Sequence, residues 1–149
     1  GLMATGVDVE NIGLGPTPML YFAVKDKMTD GGVMITGSHN PPEGNGIKLT
    51  CGRAALYGDA IQELYGRIMH KTVDTGEGNV ERKEVLDEYI EDIAGRFTLE
   101  RPMKVAVDCG NGSGALVAEK LFKALGVEVT PLFCDSDGTF PNHHPDPTV

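Results

Sequence analysis

The sequence predicts an α/β protein, and three observations carry that expectation. A short, wholly apolar run at residues 33–35 is bounded by turn residues, as in strands buried inside parallel sheets. Apolar residues recur at three- and four-residue spacing over 85–97, which is the period of an amphipathic helix. Beyond residue 100 a strand, a helix and a second strand follow one another with the punctuation of a βαβ unit.

The elements follow in chain order. Residues 1–7, Gly-Leu-Met-Ala-Thr-Gly-Val, read as the last turn of a helix closed by Gly6. Thr17 and Pro18 read as an N-cap and first helical residue, opening a buried helix through the apolar stretch 19–24 to about Met28. Thr29 to Gly32 form a turn, 33–35 a strand and 47–50 a second strand. Asp59 with Gln62 resembles a capping box, after which Ile61, Leu64, Tyr65 and Ile68 share one helical face. The polar, glycine-containing stretch 71–79 is a loop. Val85, Leu86, Tyr89, Ile90, Ile93 and Phe97 then define a helix, and Arg101-Pro102 breaks the pattern, placing a domain boundary near residue 100. The βαβ unit has its first strand at Lys104–Asp108, a helix over 114–125 capped by Gly126, and a strand over 127–133.

Composition narrows the function. The 149 residues carry 22 acids against 13 bases, a net charge of −9, with no basic run, so a nucleic-acid partner is not expected. A small phosphorylated substrate needs only local cations. The three cysteines, Cys51, Cys109 and Cys134, form no CxxC pair and suit a reducing compartment, packed as small hydrophobes. The apolar runs are too short to span a bilayer, so a soluble cytoplasmic protein without a membrane partner is expected. The start at Gly1 and the stop after His-His-Pro-Asp-Pro-Thr-Val suggest a piece of a longer chain.

The chemistry concentrates in Thr-Gly-Ser-His-Asn-Pro-Pro-Glu-Gly-Asn-Gly-Ile-Lys, residues 36–48. Ser38 falls just past a strand's carboxyl end, where ligands gather in α/β folds. Asn40 replaces the second glycine of a hydrolase elbow, and no Gly-Lys-Ser/Thr follows at P-loop spacing. The stretch offers a serine, an adjacent imidazole in His39, and a lysine, Lys48, returning on the next strand. Pro41-Pro42 stiffens the exit and Gly44-Asn45-Gly46 permits the return. Such a loop could hold a phosphorylated serine, with Lys48 balancing its charge. A polar surface turn is the competing interpretation.

This loop closely resembles the phosphoserine loop of the α-D-phosphohexomutases, within the bacterial phosphomannomutase/phosphoglucomutase branch. The stretches 13–23, 103–115 and 137–147 also resemble family segments, in the expected order. The resemblance implies a three-layer α/β/α mixed-sheet domain (1–99, N-terminally incomplete) and the first βαβ unit of a second, similar domain (100–149). It implies that Ser38 carries a phosphoryl group between hexose 1- and 6-phosphates, through a hexose 1,6-bisphosphate that also serves as activator. Lys48 would act as general acid or base, and His39 would contact the substrate or assist proton transfer. Mg²⁺ would be bound partly through the Ser38 phosphate. The family's Asp-Gly-Asp-x-Asp metal loop and its sugar- and phosphate-binding loops have no counterpart in this sequence, so the chain alone is expected to be inactive, and to self-associate or be marginally stable. The preferred hexose and the oligomeric state are not readable.

Two rivals remain, and a third pattern fails. Gly110, Gly112 and Ala115, followed by Asp135, fit a dinucleotide-binding turn, although Asp108 would repel a pyrophosphate. His143 and His144 suggest a metal site, although an extended segment points them apart. Residues 135–146 approach a calcium loop but carry Phe140 where glycine is needed. An inactive scaffold is the non-enzymatic alternative.

Overall fold

The computed structural model describes residues 1–38, 40 and 43–144. Seven strands and four α-helices alternate along the chain among these residues. β1 (Val9–Asn11) leads to α1 (Thr17–Asp26), β2 (Gly31–Thr36), β3 (Gly46–Cys51) and the short β4 (Ala54–Ala55). Then come α2 (Asp59–Met69), β5 (Val80–Arg82), α3 (Leu86–Ala94), β6 (Lys104–Asp108), α4 (Ala118–Ala124) and β7 (Glu128–Leu132). β1 pairs with β5 in parallel, β2, β3 and β4 form an antiparallel meander, and β6 pairs with β7 in parallel. The fold is therefore mixed α/β, with a βαβ unit at its end.

The core lies where α1 and α3 meet the helical segment of the βαβ unit. Met19 and Val85 are each 1% exposed and pack with Ala23, Tyr89, Ile90 and Val117. Burying a side chain of this size contributes about 1.5–3 kcal/mol. The Phe22 and Tyr89 rings meet at 5.5 Å with a 54° tilt, tying α1 to α3. Gly32 lets α1 lie close on β2, since a Cβ there would fall 2.7 Å from Val24 Cγ2 and 2.9 Å from Leu20 Cδ1.

Several local expectations are corrected. Thr17 is not the cap of α1: Pro16 occupies that position and Thr17 is already helical. Its hydroxyl instead serves the neighbouring sheet. Asp59 likewise begins α2 behind Gly58, with no side-chain cap, so the capping box does not form. The run 33–35 belongs to an antiparallel hairpin rather than a parallel strand, with Val33 opposite Leu49 and Ile35 opposite Ile47. Ile35 and Ile47 are 67% and 64% exposed, so apolar content alone misstated their neighbours. α3 stops at Ala94, leaving Phe97 exposed. The helix expected over 114–125 is a 3₁₀ turn, Ser113–Leu116, followed by α4. β1 and β5 lacked a sequence signal because each is a three-residue strand.

Candidate active site: the serine hairpin

The β2–β3 register builds the site. Thr36 lies opposite Gly46 and Met34 opposite Lys48, so the chain leaves the ladder at Thr36 and presents Ser38 two residues later. Ser38 is exposed and adopts φ 52°, a left-handed conformation that costs a side-chain-bearing residue energy. Its backbone N–H donates to Thr36 Oγ1 at 2.9 Å, and the Asn40 N–H donates to the Gly37 carbonyl at 3.0 Å. Two local bonds therefore hold the backbone around the strained residue. His39 lies outside the described residues, as do Pro41 and Pro42.

Lys48 is half-buried on β3, and its Nζ donates to Thr17 Oγ1 at 2.9 Å. The Thr17 hydroxyl in turn donates to Met34 Sδ at 3.4 Å. The lysine is thus tethered between its hairpin and the first turn of α1. Among the described residues Lys48 forms no ion pair, so its charge is not neutralised by a carboxylate. Ser38 and Lys48 stand on opposite arms of one hairpin, the lysine four residues behind the serine in register. Thr17 escaped the sequence analysis as a site residue because Thr-Pro ahead of an apolar run signals a cap.

A cavity of about 680 Å³ lies elsewhere. It opens between β1 and the first half of β2, lined by Val9, Asn11, Leu20, Val24, Gly32 and Val33 among others. Neither Ser38 nor Lys48 lines it. Each of these strands has one partner in the sheet order, so the cavity separates two open strand edges.

The turn after β6 does not have the form of a nucleotide site. Asp108 accepts hydrogen bonds from the Gly110 N–H at 2.8 Å and from His143 Nε2 at 3.0 Å. The His143 bond and the Gly110 N–H hold the Asp108 carboxyl below its usual range. His143 is raised above the ordinary imidazole value by its bond to the His144 carbonyl and by Asp108. A Cβ on Gly110 would fall 2.9 Å from His143 Cε1, so the imidazole covers the glycine that a pyrophosphate would approach. Asn111 is buried; its Nδ2 donates to the Asp135 carbonyl at 2.8 Å, and its Oδ1 accepts from Asn142 Nδ2 at 2.7 Å. The segment 135–144 is therefore a strap across the ends of β6 and β7. Both ring nitrogens of His143 are engaged, Nε2 by Asp108 and Nδ1 by the His144 carbonyl, and among the described residues no group of three or more His, Cys, Asp or Glu side chains could hold a metal ion. The described residues by themselves thus do not supply a Mg²⁺ donor set. No helix among the described residues is long and apolar enough to cross a membrane.

Fold and site together define an α/β protein that presents a serine on a braced hairpin tip at the end of a strand. Residues 1–74 match the phosphoglucomutase/phosphomannomutase α/β/α domain I, and residues 87–149 match α/β/α domain II of the same proteins. The chain belongs to the phosphoglucomutase/phosphomannomutase family. It is 52% identical over 151 residues to a phosphoglucomutase of Neisseria meningitidis serogroup A, covering 99% of this chain and 33% of that protein. It is 45% identical over 147 residues to the phosphomannomutase/phosphoglucomutase of Pseudomonas aeruginosa PAO1, covering 99% and 32%. The crystal structure of a phosphoglucomutase/phosphomannomutase family protein from Burkholderia thailandensis superposes with a TM-score of 0.93 at 48% identity, covering 100% of this chain and 34% of that one. The chain spans about a third of the length of these relatives.

Proposed function

We propose that this chain is the phosphoryl-carrying part of a hexose phosphate mutase, with Ser38 as the carrier. The observation that carries the proposal is the strained, doubly braced Ser38 at the hairpin tip: strain of this kind persists where the surrounding structure over-determines it, often at functional sites. The names of its relatives supply the chemistry, interconversion of hexose phosphates.

In the proposed cycle the phosphorylated Ser38 gives its phosphoryl group to a free hydroxyl of a hexose monophosphate. The P–O bond to serine breaks as the P–O bond to the sugar forms. The resulting hexose 1,6-bisphosphate turns round and returns its other phosphate to Ser38. Phosphoryl transfer asks chiefly for alignment and charge neutralisation, which suits an ammonium near the path. Lys48 is proposed to move the proton of the sugar hydroxyl, and His39 to contact the substrate. Thr17 would position Lys48. The family association with Mg²⁺ extends the proposal to that ion, which would draw most of its oxygen ligands from outside this chain; no step above is routed through it. The unit carrying the serine is proposed to be 1–99 and the second unit 100–149, with α3 at the junction, where it packs on both α1 and α4. The cellular setting proposed is the cytoplasm.

The test is intact-mass analysis and peptide mapping of the full-length protein. Phosphate is expected on Ser38, and Ser38→Ala should abolish turnover of glucose 1-phosphate or mannose 1-phosphate. Phosphate found only elsewhere, or normal turnover by Ser38→Ala, overturns the proposal. The 149-residue chain by itself is expected to show no turnover, because the orientation of the substrate's second phosphate is not supplied here.

A further inference from the structure

We propose that Cys109 and Cys134 are a thiol oxidation site that closes into a reversible disulfide across the ends of β6 and β7. In sequence the two residues are far apart and signal nothing. In the fold their Sγ atoms lie 3.1 Å apart, at sulfur–sulfur contact distance. A disulfide needs about 2 Å, so closure asks for a movement of roughly 1 Å.

The geometry has a cause in the strand register. Asp108 stands opposite Leu132, which sets Cys109 beside Phe133 and leaves Cys134 one residue beyond. Regular alternation would turn neighbouring side chains to opposite faces. Phe133 breaks it with φ 51°, and the Cys134 sulfur comes to 3.7 Å from the Val107 carbonyl, back over β6. The backbone there is secured by the Cys109 N–H donating to the Leu132 carbonyl at 3.0 Å and the Asn111 N–H to the Phe133 carbonyl at 2.9 Å. Both thiols are half-exposed, whereas Cys51 is exposed on β3 in a different sheet. Burial, with the Cys134 contact second, pushes the Cys109 thiol up to about 12. Whichever of the two sulfurs meets an oxidant first, the other stands in contact with it and can close the bond.

With hydrogen peroxide as the oxidant, one sulfur of the pair, for instance Cys134, loses its proton and attacks one peroxide oxygen. The O–O bond breaks, the departing hydroxide takes a proton to leave as water, and Cys134 becomes a sulfenic acid. Cys109 sulfur then attacks the sulfenic sulfur, the S–O bond breaks, and the Cys109 proton leaves with the hydroxide as a second water. The thiols lose two electrons and the peroxide gains two. A small dithiol reverses the change by thiol–disulfide exchange.

The experiment uses the reduced 149-residue chain, treated with increasing hydrogen peroxide, quenched with N-ethylmaleimide, and read by intact mass and peptide mapping. Maleimide uptake should fall from three groups to one, all of it on Cys51. The unlabelled protein should become two hydrogens lighter, with a Cys109–Cys134 linked peptide that disappears on adding dithiothreitol. In a Cys51→Ser background, which removes coupling between copies, uptake should fall to none. Cys134 accumulating as sulfenic or sulfinic acid while Cys109 still takes maleimide overturns the proposal. So does oxidation that yields only Cys51-linked dimers with both other thiols labelled.

Discussion

The tether between Lys48 and Thr17 can be measured as a coupling energy. Thr17→Val removes the hydroxyl while keeping the side-chain volume, and Lys48→Met removes the ammonium while keeping most of the stem. The bond is 2.9 Å long, from a cation to a half-buried hydroxyl. Hydrogen bonds to charged groups contribute about 1.5–3 kcal/mol and neutral ones about 0.5–1.5. Partial exposure lets water replace much of the lost partner, which puts this one at about 1 kcal/mol. Each single variant should lose about that much, and the double variant little more than either, a coupling of about 1 kcal/mol. In a chain of this size the shift in Tm would be about 2–4 °C per variant. Urea denaturation followed by circular dichroism gives the cycle, provided the m-values agree. Single losses that simply add, to within about 0.3 kcal/mol, would mean that Thr17 does not hold Lys48. In the full-length protein a positioning role predicts that Thr17→Val lowers kcat less than Lys48→Met does, with little change in KM.

Three further outcomes follow from the structure. The raised His143 value means that its contribution to stability is full below 6.5 and is lost as pH rises through the folded value; the depressed Asp108 value means that its contribution is full above 3.8 and is lost as pH falls through the folded value. The strap is thus held best between the two, and the NMR titration midpoint of His143 should lie above 6.5 and fall in Asp108→Asn; a midpoint at or below 6.5 contradicts this. Met19→Ala, at 1% exposure in the core joining α1 to α3, should cost about 2–5 kcal/mol by denaturant titration, and a loss under about 1 kcal/mol would show that the core can collapse around the cavity. Ser38→Gly should change stability by less than about 1 kcal/mol, since relief of about 1–2 kcal/mol at φ 52° is offset by the entropy cost of glycine and by loss of the serine's own interactions, and a loss above about 2 kcal/mol would show that those interactions outweigh the strain.

What the sequence made legible were the segments whose signals are local. β6 was bounded correctly because Lys104–Asp108 is flanked by a proline and a glycine turn and alternates in burial along its length. Gly126 was read as the end of a helix, and it does stand just past α4 with φ 76°. Ser38 was read as lying past a strand end, and it does. Partners brought together from distant parts of the chain were not legible. Lys48 could be seen returning on a second strand, but nothing in its spacing names Thr17, 31 residues earlier. Asp108 was seen as an obstacle to a pyrophosphate, while its true partner, His143, was considered as a metal ligand 35 residues away. The spacing of the cysteines suggests only small hydrophobes, yet one left-handed residue, Phe133, brings two of them into contact.

The same distinction accounts for the apolar surface that remains. The periodicity of α2 is amphipathic, but the helix buries none of its residues: Tyr65, Ile68 and Met69 are exposed, as are Ile35 and Ile47 of the hairpin. A helix of this pattern is stabilised mainly by covering its apolar face, since short helices gain little from propensity alone. The periodicity in the sequence therefore records a packing requirement that the described residues do not meet for α2, whereas α1 and α3 meet theirs through Met19, Val85 and Tyr89. The serine hairpin is held from the satisfied side. Met34 and Lys48 reach toward the first turn of α1, whose next residues, Met19 and Leu20, are buried. The position of the lysine thus depends on the core joining α1 to α3, while the position of the serine depends on bonds within its own turn.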